Sequence, residues 1–271
     1  MSISLNTNGP AQTGLENLNS RSRQLGLTEK QVATGKVVAD AFDNGAIFAI
    51  AQNLTSDVSA TGAVNGQLGA ALGSVNVANA AATNISNTLI EVQSTLVQLA
   101  DSSVTGNARA QLQAQYQSQV QQISQQVQGA NYNGTNLIGA GGSNLQVIQN
   151  PAGGQLTVAA QDLNAGVAAQ LTPVTTAASA QNLLANGFQT AQANVGTALN
   201  SFAASAAAIN NQIAGNQASQ DATTQGLGAL TDANLAKTAA ALQSQQIGQQ
   251  LATQSLAIAN AAPNILGAFF R

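Results

Sequence analysis

The chain has 271 residues, of which only 6% are charged and 3% aromatic, and its formal net charge is −3. Soluble domains carry about 25% charged residues, so the polar surface must consist mainly of Gln, Asn, Ser and Thr. The acidic balance argues against a nucleic-acid partner, because affinity for phosphates rests on clustered Lys and Arg. The chain has no His and no Cys, which removes the usual parts of a catalytic triad, a thiol nucleophile or a zinc site. We therefore predict no catalytic activity, no cofactor and no metal.

The length allows about two domains of roughly 100–200 residues each. No run of about 18 apolar residues occurs, which predicts that the chain does not insert into a membrane. The first residues, Met1 to Ala11, lack the basic start and the apolar core of a secretory signal peptide. Secretion would therefore need a route that leaves the N-terminus uncleaved.

The first amphipathic segment runs from Leu15 to about Thr34. Its positions alternate between spacings of three and four residues, with Ser22 and Glu29 at two of the steps, and the apolar members are Leu15, Leu18, Leu25 and Val32. This pattern predicts a helix with a narrow apolar stripe that packs against another helix.

A second helical segment follows Gly35, which interrupts the first, and runs from Asn44 to about Asp101. Asp40 or Asp43 is well placed to cap it by accepting backbone N–H bonds, and we favour this role over a carboxylate pair with catalytic chemistry. Glycines recur along one helical face at Gly62, Gly66, Gly69 and Gly73. Each costs roughly 1 kcal/mol relative to Ala, so we expect another backbone to approach this face closely. A phosphate-binding loop is disfavoured, because the strand, Lys and Ser/Thr of such a loop are missing.

The middle of the chain carries the one convincing β signal. Residues 144–149 and 155–159 alternate apolar and polar side chains around the turn-like sequence Asn150-Pro-Ala-Gly-Gly154, which predicts a single hairpin near 144–160. Before it, Ser102 to Asn107 breaks the helical pattern, which resumes from Ala108 to Gln128. After it, a helical pattern extends from about Ala177 to Gln220, and Gly226 and Gly228 separate it from the tail.

The tail carries a second narrow stripe. From residue 251 the pattern again alternates four and three, with Ser255 at one step and the apolar positions Leu251, Ile258, Ala262, Ile265 and Phe269. Leu235 and Leu242 are seven residues apart but lie in another phase. The pattern therefore predicts that the tail changes its packing partner between Ser244 and Gln250.

These elements predict a mainly α fold: an elongated antiparallel helical rod or coiled coil formed by both chain ends, with one β-hairpin in the middle. We assign residues 1–40 and 228–271 to a terminal coiled-coil layer and residues 41–227 to an outer helical rod domain. The scarcity of charge fits a homopolymer, because any surface charge is repeated in every neighbouring copy.

Several short sequences resemble the terminal signatures of bacterial flagellins. At the N-terminal end they are Leu5-Asn-Thr-Asn8, Asn17-Leu-Asn19, Val32-Ala-Thr-Gly-Lys36 and Ala49-Ile-Ala51; before the hairpin, Asn131-Tyr-Asn-Gly-Thr135; at the C-terminal end, Leu230-Thr-Asp-Ala-Asn-Leu-Ala236 and Ala259-Asn-Ala-Ala-Pro-Asn-Ile-Leu-Gly-Ala-Phe-Phe-Arg271. Two differences from the family pattern are Phe42, which interrupts a usual Lys-Asp pairing, and Ala268-Phe269-Phe270 in place of smaller aliphatic residues. Only about 45 residues separate the inner helices, so the chain resembles a short flagellin of two layers without the variable outer domains.

The resemblance implies a structural subunit of the extracellular flagellar filament. It implies as partners other flagellin subunits, an export chaperone, the flagellar type III export apparatus, and hook-associated and cap proteins. The polymerisation interface is then expected at the terminal stripes, with the residues Leu5, Leu15, Leu18, Leu25, Val32, Leu235, Leu242, Leu251, Ile258, Ala262, Ile265, Leu266, Phe269 and Phe270. Two alternatives stay open from the sequence: a hook–filament junction protein of the same superfamily, and a helical scaffold that does not polymerise.

Overall fold

The computed structural model describes residues 7–269 of the chain, and the side chains among them up to residue 261. Its elements in chain order are α1 (Gly9–Thr34), α2 (Ala41–Leu99), α3 (Gly106–Gly129), β1 (Leu145–Ile148), β2 (Gln155–Val158), α4 (Leu163–Gly166), a 3-10 turn (Ala168–Gln170), α5 (Ala177–Ala185), α6 (Gly187–Thr231) and α7 (Leu235–Phe269). The predicted fold class, mainly α with one hairpin, is confirmed.

The first helix has clear signals at both ends. Asn8 Oδ1 accepts a hydrogen bond from the backbone N–H of Ala11 at 3.1 Å, and Pro10 lies in the first turn, where its missing N–H has no intrahelical partner to lose. Gly35 ends the helix with a φ of +69°, and its N–H bonds to the carbonyl of Gln31. A left-handed residue after the last turn is the usual position of Gly at a helix C-terminus.

The second helix begins with a reciprocal cap. Asp40 Oδ1 accepts hydrogen bonds from the N–H groups of Phe42 and Asp43, while Asp43 Oδ2 accepts from the N–H of Asp40. Asn44 then leaves helical geometry, with φ −163° and ψ 101°, and its side chain accepts from the N–H of Ile47 at 3.1 Å. The predicted capping role of Asp40 and Asp43 is confirmed, and the long straight run starts only after Asn44.

A single arginine organises the turn between α2 and α3. The Arg109 guanidinium donates to the backbone carbonyls of Leu99, Asp101 and Val104 at 2.8–3.0 Å. The Leu99 carbonyl is one that the end of a helix leaves without an intrahelical donor, and the other two lie in the turn that follows. The predicted break is present, but it lies at residues 100–105 and not at 102–107, and its arginine cap was not foreseen.

The hairpin pairs antiparallel, with Leu145 opposite Val158 and Ile148 opposite Gln155. Gly153 takes a φ of +87° in the connecting turn. Amide side chains on α6 hold this turn: Gln212 Nε2 and Asn216 Nδ2 both donate to the carbonyl of Gln149, at 3.1 and 3.0 Å. Neutral amides thus make the long-range polar contacts for which an average domain often uses charged groups.

Two predicted boundaries after the hairpin are wrong. The helical pattern from residue 177 is split at Asn186, because Gly187 lies against the 3-10 turn so closely that a Cβ there would be 2.6 Å from the Gln170 carbonyl oxygen. Conversely, Gly226 and Gly228 do not separate α6 from the tail, since α6 continues to Thr231. The break falls at residues 232–234, where Asn234 caps α7 by accepting from the N–H of Lys237.

The predicted glycine face of α2 is only partly a packing surface. A Cβ at Gly73 would meet the Tyr132 ring at 2.8 Å, whereas Gly66 and Gly69 face open space. The predicted approach of another backbone is therefore wrong: a side chain approaches Gly73 closely, and the other three glycines have no close neighbour that requires Gly.

The chain divides into two compact units. The middle unit is Asp57–Asp221, and the terminal unit combines Met1–Ser56 with Ala222–Arg271. The middle unit has one contiguous apolar core, which contains the fully buried residues Leu68, Ile85, Leu96, Ile123, Leu137 and Phe202. Buried Tyr116 belongs to the same core, and its hydroxyl donates to the carbonyl of Thr172 at 2.9 Å. Burial raises the pKa of this tyrosine well above its ordinary value, so it stays a neutral donor.

The terminal unit has almost no apolar core. Its buried hydrophobic side chains among the described residues are Val38 and Ala51. Its other buried positions are threonines: Thr28, Thr231 and Thr238. Each threonine hydroxyl donates to a carbonyl one turn earlier in its own helix, which satisfies the hydroxyl inside the contact. The terminal unit is therefore held by narrow helix pairing and backbone contacts.

Candidate assembly interface

The terminal unit is built on α1 and α7, which pack against each other as an antiparallel pair. At one end Asn8 Nδ2 donates to the carbonyl of Ala259 at 2.9 Å. In between, Gly14 lies against Leu256. At the other end the N–H of Ala233 donates to the carbonyl of Gly35 at 2.8 Å. These contacts set one register along the whole described pair.

The face of each helix towards the other follows a heptad-like spacing. On α1 its half-buried or buried members are Ala11, Gly14, Leu18, Leu25, Thr28 and Val32; on α7 they are Thr238, Leu242, Gln245, Gln249, Ala252, Leu256 and Ala259. Alternating steps of three and four residues keep such positions on one side of a helix. The predicted stripe residues Leu18, Leu25, Val32 and Leu242 therefore lie in the contact between the two helices.

Other predicted interface residues lie outside this contact. Leu15, Leu235, Leu251 and Ile258 are all exposed, Ile258 at 73% of its surface. Leu5 and Phe270, together with the side chains of Ala262, Ile265, Leu266 and Phe269, lie outside the described residues. The residues predicted for a single interface thus separate into a set that pairs the two helices and a set that faces outwards.

The predicted change of packing partner between Ser244 and Gln250 is wrong for the contacts within the chain. The α7 face towards α1 keeps one phase from Thr238 to Ala259, and α1 accompanies it throughout. Leu256 was not included in the predicted stripe, although it lies seven residues after Gln249 and fourteen after Leu242. The Leu251 and Ile258 phase belongs to a second face of the same helix, which α1 leaves uncovered.

A groove opens between the two helices near the middle of the pair. It is lined by Gly14, Asn17 and Arg21 of α1 and by Gly248, Leu251, Ala252 and Ser255 of α7, with a volume of about 290 Å³. Gly248 makes room for the Arg21 side chain, because a Cβ there would be 2.5 Å from Arg21 Nη1. Gly14, Arg21 and Gly248 were not predicted from the sequence, although two glycines in facing stripes are a signal for close contact.

The segment between α1 and α2 is fixed by ion pairs and backbone bonds. Lys30 Nζ lies 2.7 Å from Asp40 Oδ2 and 2.7 Å from Asp43 Oδ1. The hydrogen bond from Lys30 is the main cause that lowers the pKa of each aspartate, and the two carboxylates raise the pKa of Lys30. Nearby, the Val37 N–H donates to the carbonyl of Thr231 at 2.7 Å. The N-terminal and C-terminal segments are thus hydrogen-bonded to each other close to the end of α1 and the beginning of α7.

The described residues contain no group of His, Cys, Asp and Glu side chains that could hold a metal ion. Over the same range, no helix combines the length and the apolar character that crossing a bilayer requires. What the fold does present is a pair of terminal helices with apolar side chains left uncovered along one face. This combination is typical of helical subunits that associate through their chain ends.

Comparison with known proteins identifies the family. The model of the bacterial flagellin N-terminal helical region matches residues 5–141. Flagellin FljO of Caulobacter vibrioides is 32% identical over 270 residues, which cover 99% of this chain and 98% of that protein. A flagellin of Brucella melitensis is 29% identical over 292 aligned residues, covering 99% of each chain. The chain therefore belongs to the flagellin family.

The structural comparison agrees at the level of the fold. The crystal structure of Bacillus cereus flagellin superposes with a TM-score of 0.51 at 18% sequence identity, covering 55% of this chain and 86% of that one. As a flagellin, the chain is a self-assembling structural subunit of the bacterial flagellar filament and is located outside the cell. The full-length matches favour this function over a junction protein or a non-polymerising scaffold.

Proposed function

We propose that the α1–α7 pair, with the apolar residues that it leaves uncovered, is the polymerisation surface of this flagellin. The observation that carries the proposal is the uneven distribution of exposed apolar side chains. Most large hydrophobic residues that the described chain exposes belong to the terminal unit, including Leu15, Leu235, Ile247, Leu251 and Ile258. The polymer-facing set then consists of these outward residues, while Leu18, Leu25, Val32 and Leu242 pair the helices.

The energetics favour coupling between folding and association. Ordering the backbone costs about 1–2 kcal/mol per residue, and a pair of helices with a narrow stripe of Leu, Ala, Thr and Gln buries little apolar surface to offset it. Contacts with neighbouring subunits supply the missing burial. We therefore propose that both ends are largely disordered in the free monomer and become ordered on assembly.

The same scheme assigns roles to the domains and to further partners. Residues 1–40 and 228–271 would form the inner layer of the filament, and residues 41–227 the outer rod. A chain with disordered ends suits threading through a narrow export channel, so we propose an export chaperone, the flagellar type III export apparatus, and hook-associated and cap proteins as partners. The role is structural and not catalytic, because the chain has neither His nor Cys.

Removing the tail is the strongest test. Deletion of residues 227–271 takes away α7 and leaves α1 without its partner, so we expect a soluble, largely helical protein that does not polymerise. Electron microscopy after salt- or seed-induced assembly, with circular dichroism for helix content, measures both outcomes. Filaments assembled from the truncated protein would refute the scheme.

A point-mutation version has a matched control. Leu251→Gln with Ile258→Gln removes two exposed apolar residues seven apart on α7, and Ile90→Gln with Val97→Gln does the same on α2 of the middle unit. We expect the α7 pair to raise the critical concentration for assembly at least about tenfold, since hot-spot residues contribute a tenfold factor or more each. An equal effect of the α2 pair would contradict a polymerisation surface centred on the terminal unit.

A further inference from the structure

Phe42 is the one aromatic residue that the described chain holds almost wholly in water. It is 99% exposed, more than any other large hydrophobic side chain in the described range. The other described phenylalanines of the chain, such as Phe188 and Phe202, are buried or partly covered. An aromatic ring presented in this way is typical of an anchor residue that becomes covered in a complex.

Hydrogen bonds fix the backbone that carries this ring. Phe42 lies in the first turn of α2, and its N–H donates to Asp40 Oδ1 at 2.9 Å. Both neighbouring carboxylates are held by Lys30, and Asp43 also accepts from the N–H of Ala39 at 2.9 Å. A backbone that is ordered before binding loses little conformational freedom on binding, so this turn is suited to insertion.

The charge around Phe42 indicates the kind of surface that would receive it. Lys30, Asp40 and Asp43 together carry one net negative charge, and the Asp40 side chain is 44% exposed. A complementary site needs an apolar slot with a cation at its edge, because opposite charges across an interface favour the correct partner. A guanidinium can also lie against an aromatic face.

The groove between α1 and α7 has this chemistry. Leu251 and Ala252 supply apolar walls, and Arg21 lines the groove with its guanidinium against Gly248. All ion pairs among the described residues involve Lys30, so Arg21 has no carboxylate partner there. The volume of about 290 Å³ is close to the lower limit of roughly 300 Å³ for ligand pockets, which suits a single ring better than an extended ligand.

We propose that Phe42 of one subunit inserts into the groove between α1 and α7 of a neighbouring copy, with its ring on Leu251 and Ala252 and beside Arg21. The inference rests on the proposed polymerisation surface and adds a specific contact to it. Each copy carries both the ring and the groove at different places on the terminal unit. Such a contact is heterologous and, when it does not close into a ring, it propagates as an open helical polymer.

The absence of cysteine allows a direct test by cross-linking. The double variant Phe42→Cys with Ser255→Cys is assembled in the presence of wild-type seeds and treated with a short bis-maleimide. We expect a ladder of covalently joined subunits on denaturing gels from filaments, and no ladder from the unassembled monomer. Ser255 is chosen because it lines the groove and is exposed.

Controls separate this contact from other neighbours. Each single variant should give no covalent dimer, which is the largest product that one cysteine per subunit allows. Pairing Phe42→Cys with Gln243→Cys, an exposed α7 position outside the groove lining, should give no ladder. Filaments that form but do not cross-link between positions 42 and 255 overturn the inference and leave the proposed function intact. A cross-link from position 255 to itself, seen in the single variant, assigns the groove to another segment and also overturns it. Failure of the wild-type chain to form filaments would overturn the proposed function.

The critical concentration for assembly, measured in variants without introduced cysteines, tests the contact even where assembly is poor. We expect Phe42→Ala to raise the critical concentration about tenfold, the factor typical of a buried aromatic anchor, and Arg21→Gln to raise it less. If the two side chains touch across the interface, the double variant should be no worse than about the larger single effect. Fully multiplicative effects would contradict the contact, and Gln52→Ala, an exposed position on the same helix, should change nothing.

Discussion

The two units of this flagellin use apolar side chains in opposite ways. In the middle unit, Leu and Ile side chains from α2 meet those of α3 and α6 in one continuous core. In the terminal unit, comparable residues such as Leu251 and Ile258 lie exposed on the helix surface. Helices of similar composition can therefore bury their apolar side chains within one chain or leave them exposed for contact with another chain.

The polar groups differ between the units in a related way. The middle unit links its elements with neutral amides, such as the hydrogen bond from Asn216 Nδ2 to Asn65 Oδ1 at 2.9 Å. The terminal unit holds the described ion pairs, all centred on Lys30. The described ion pairs are thus confined to the segment between α1 and α2, and the low total charge of the chain limits repulsion between identical subunits.

The largest expected effect tests the core of the middle unit. Phe202→Ala removes a fully buried ring and should destabilise the monomer by about 3–5 kcal/mol, the range for aromatic truncations in cores. Urea denaturation followed by circular dichroism measures the change. Ile90→Ala, an exposed position in the same unit, is the control and should stay within about 0.5 kcal/mol. A similar loss for both variants would mean that the core is not the source of stability.

A smaller effect separates the two faces of α7. Leu256 is half-buried against α1, so Leu256→Ala should weaken the helix pair by roughly 1 kcal/mol, about half of the value for a fully buried Leu. Leu251→Ala, on the uncovered face, should leave the helix content of the monomer unchanged. Both should raise the critical concentration for assembly, measured by sedimentation. If Leu251→Ala had no effect on assembly, the outward face would not be part of the polymer contact.

The smallest effect concerns pH and the ion pairs of Lys30. Asp40 and Asp43 have lowered pKa values, so their contribution is present above the ordinary aspartate pKa of about 3.9 and is lost as the pH falls through the lowered values. Lys30 has a raised pKa, so its contribution is present below its ordinary pKa of about 10.4 and is lost as the pH rises through the raised value. The pairing should therefore persist from about pH 4 to pH 10.

Solid-state NMR titration of the carboxyl carbons in assembled filaments, where the chain ends are ordered, checks this window. In Lys30→Met both aspartate pKa values should move up towards the ordinary value, because the hydrogen bond from Lys30 is the main cause of the shift. Lys36→Met is the matched control, since Lys36 is an exposed lysine in the same segment and makes none of the described ion pairs. Unchanged titration of Asp40 and Asp43 in Lys30→Met would contradict the ion pairs.

The elements whose boundaries depend on a few neighbouring residues were predicted correctly. The turn at residues 150–154 predicted the hairpin, and the carboxylates of Asp40 and Asp43 predicted the start of α2, because turn and cap chemistry depend on a few neighbouring residues. The break at Asn186 and the continuation through Gly228 were not foreseen. The break at Asn186 depends on a partner that is distant in sequence, the Gln170 carbonyl that approaches Gly187.

The spacing of three and four residues between apolar positions in the tail shows most clearly what the sequence alone cannot determine. The sequence by itself determined that α7 carries two apolar phases, one through Leu242 and one through Leu251, since helical periodicity follows from spacing alone. It could not determine which phase α1 covers. That choice came from the register of the pair, in which Gly14 admits Leu256 and Gly248 admits Arg21. The two stripes follow the same spacing, so the close fit between particular side chains in the tertiary structure decides which face is paired and which is left for a neighbour.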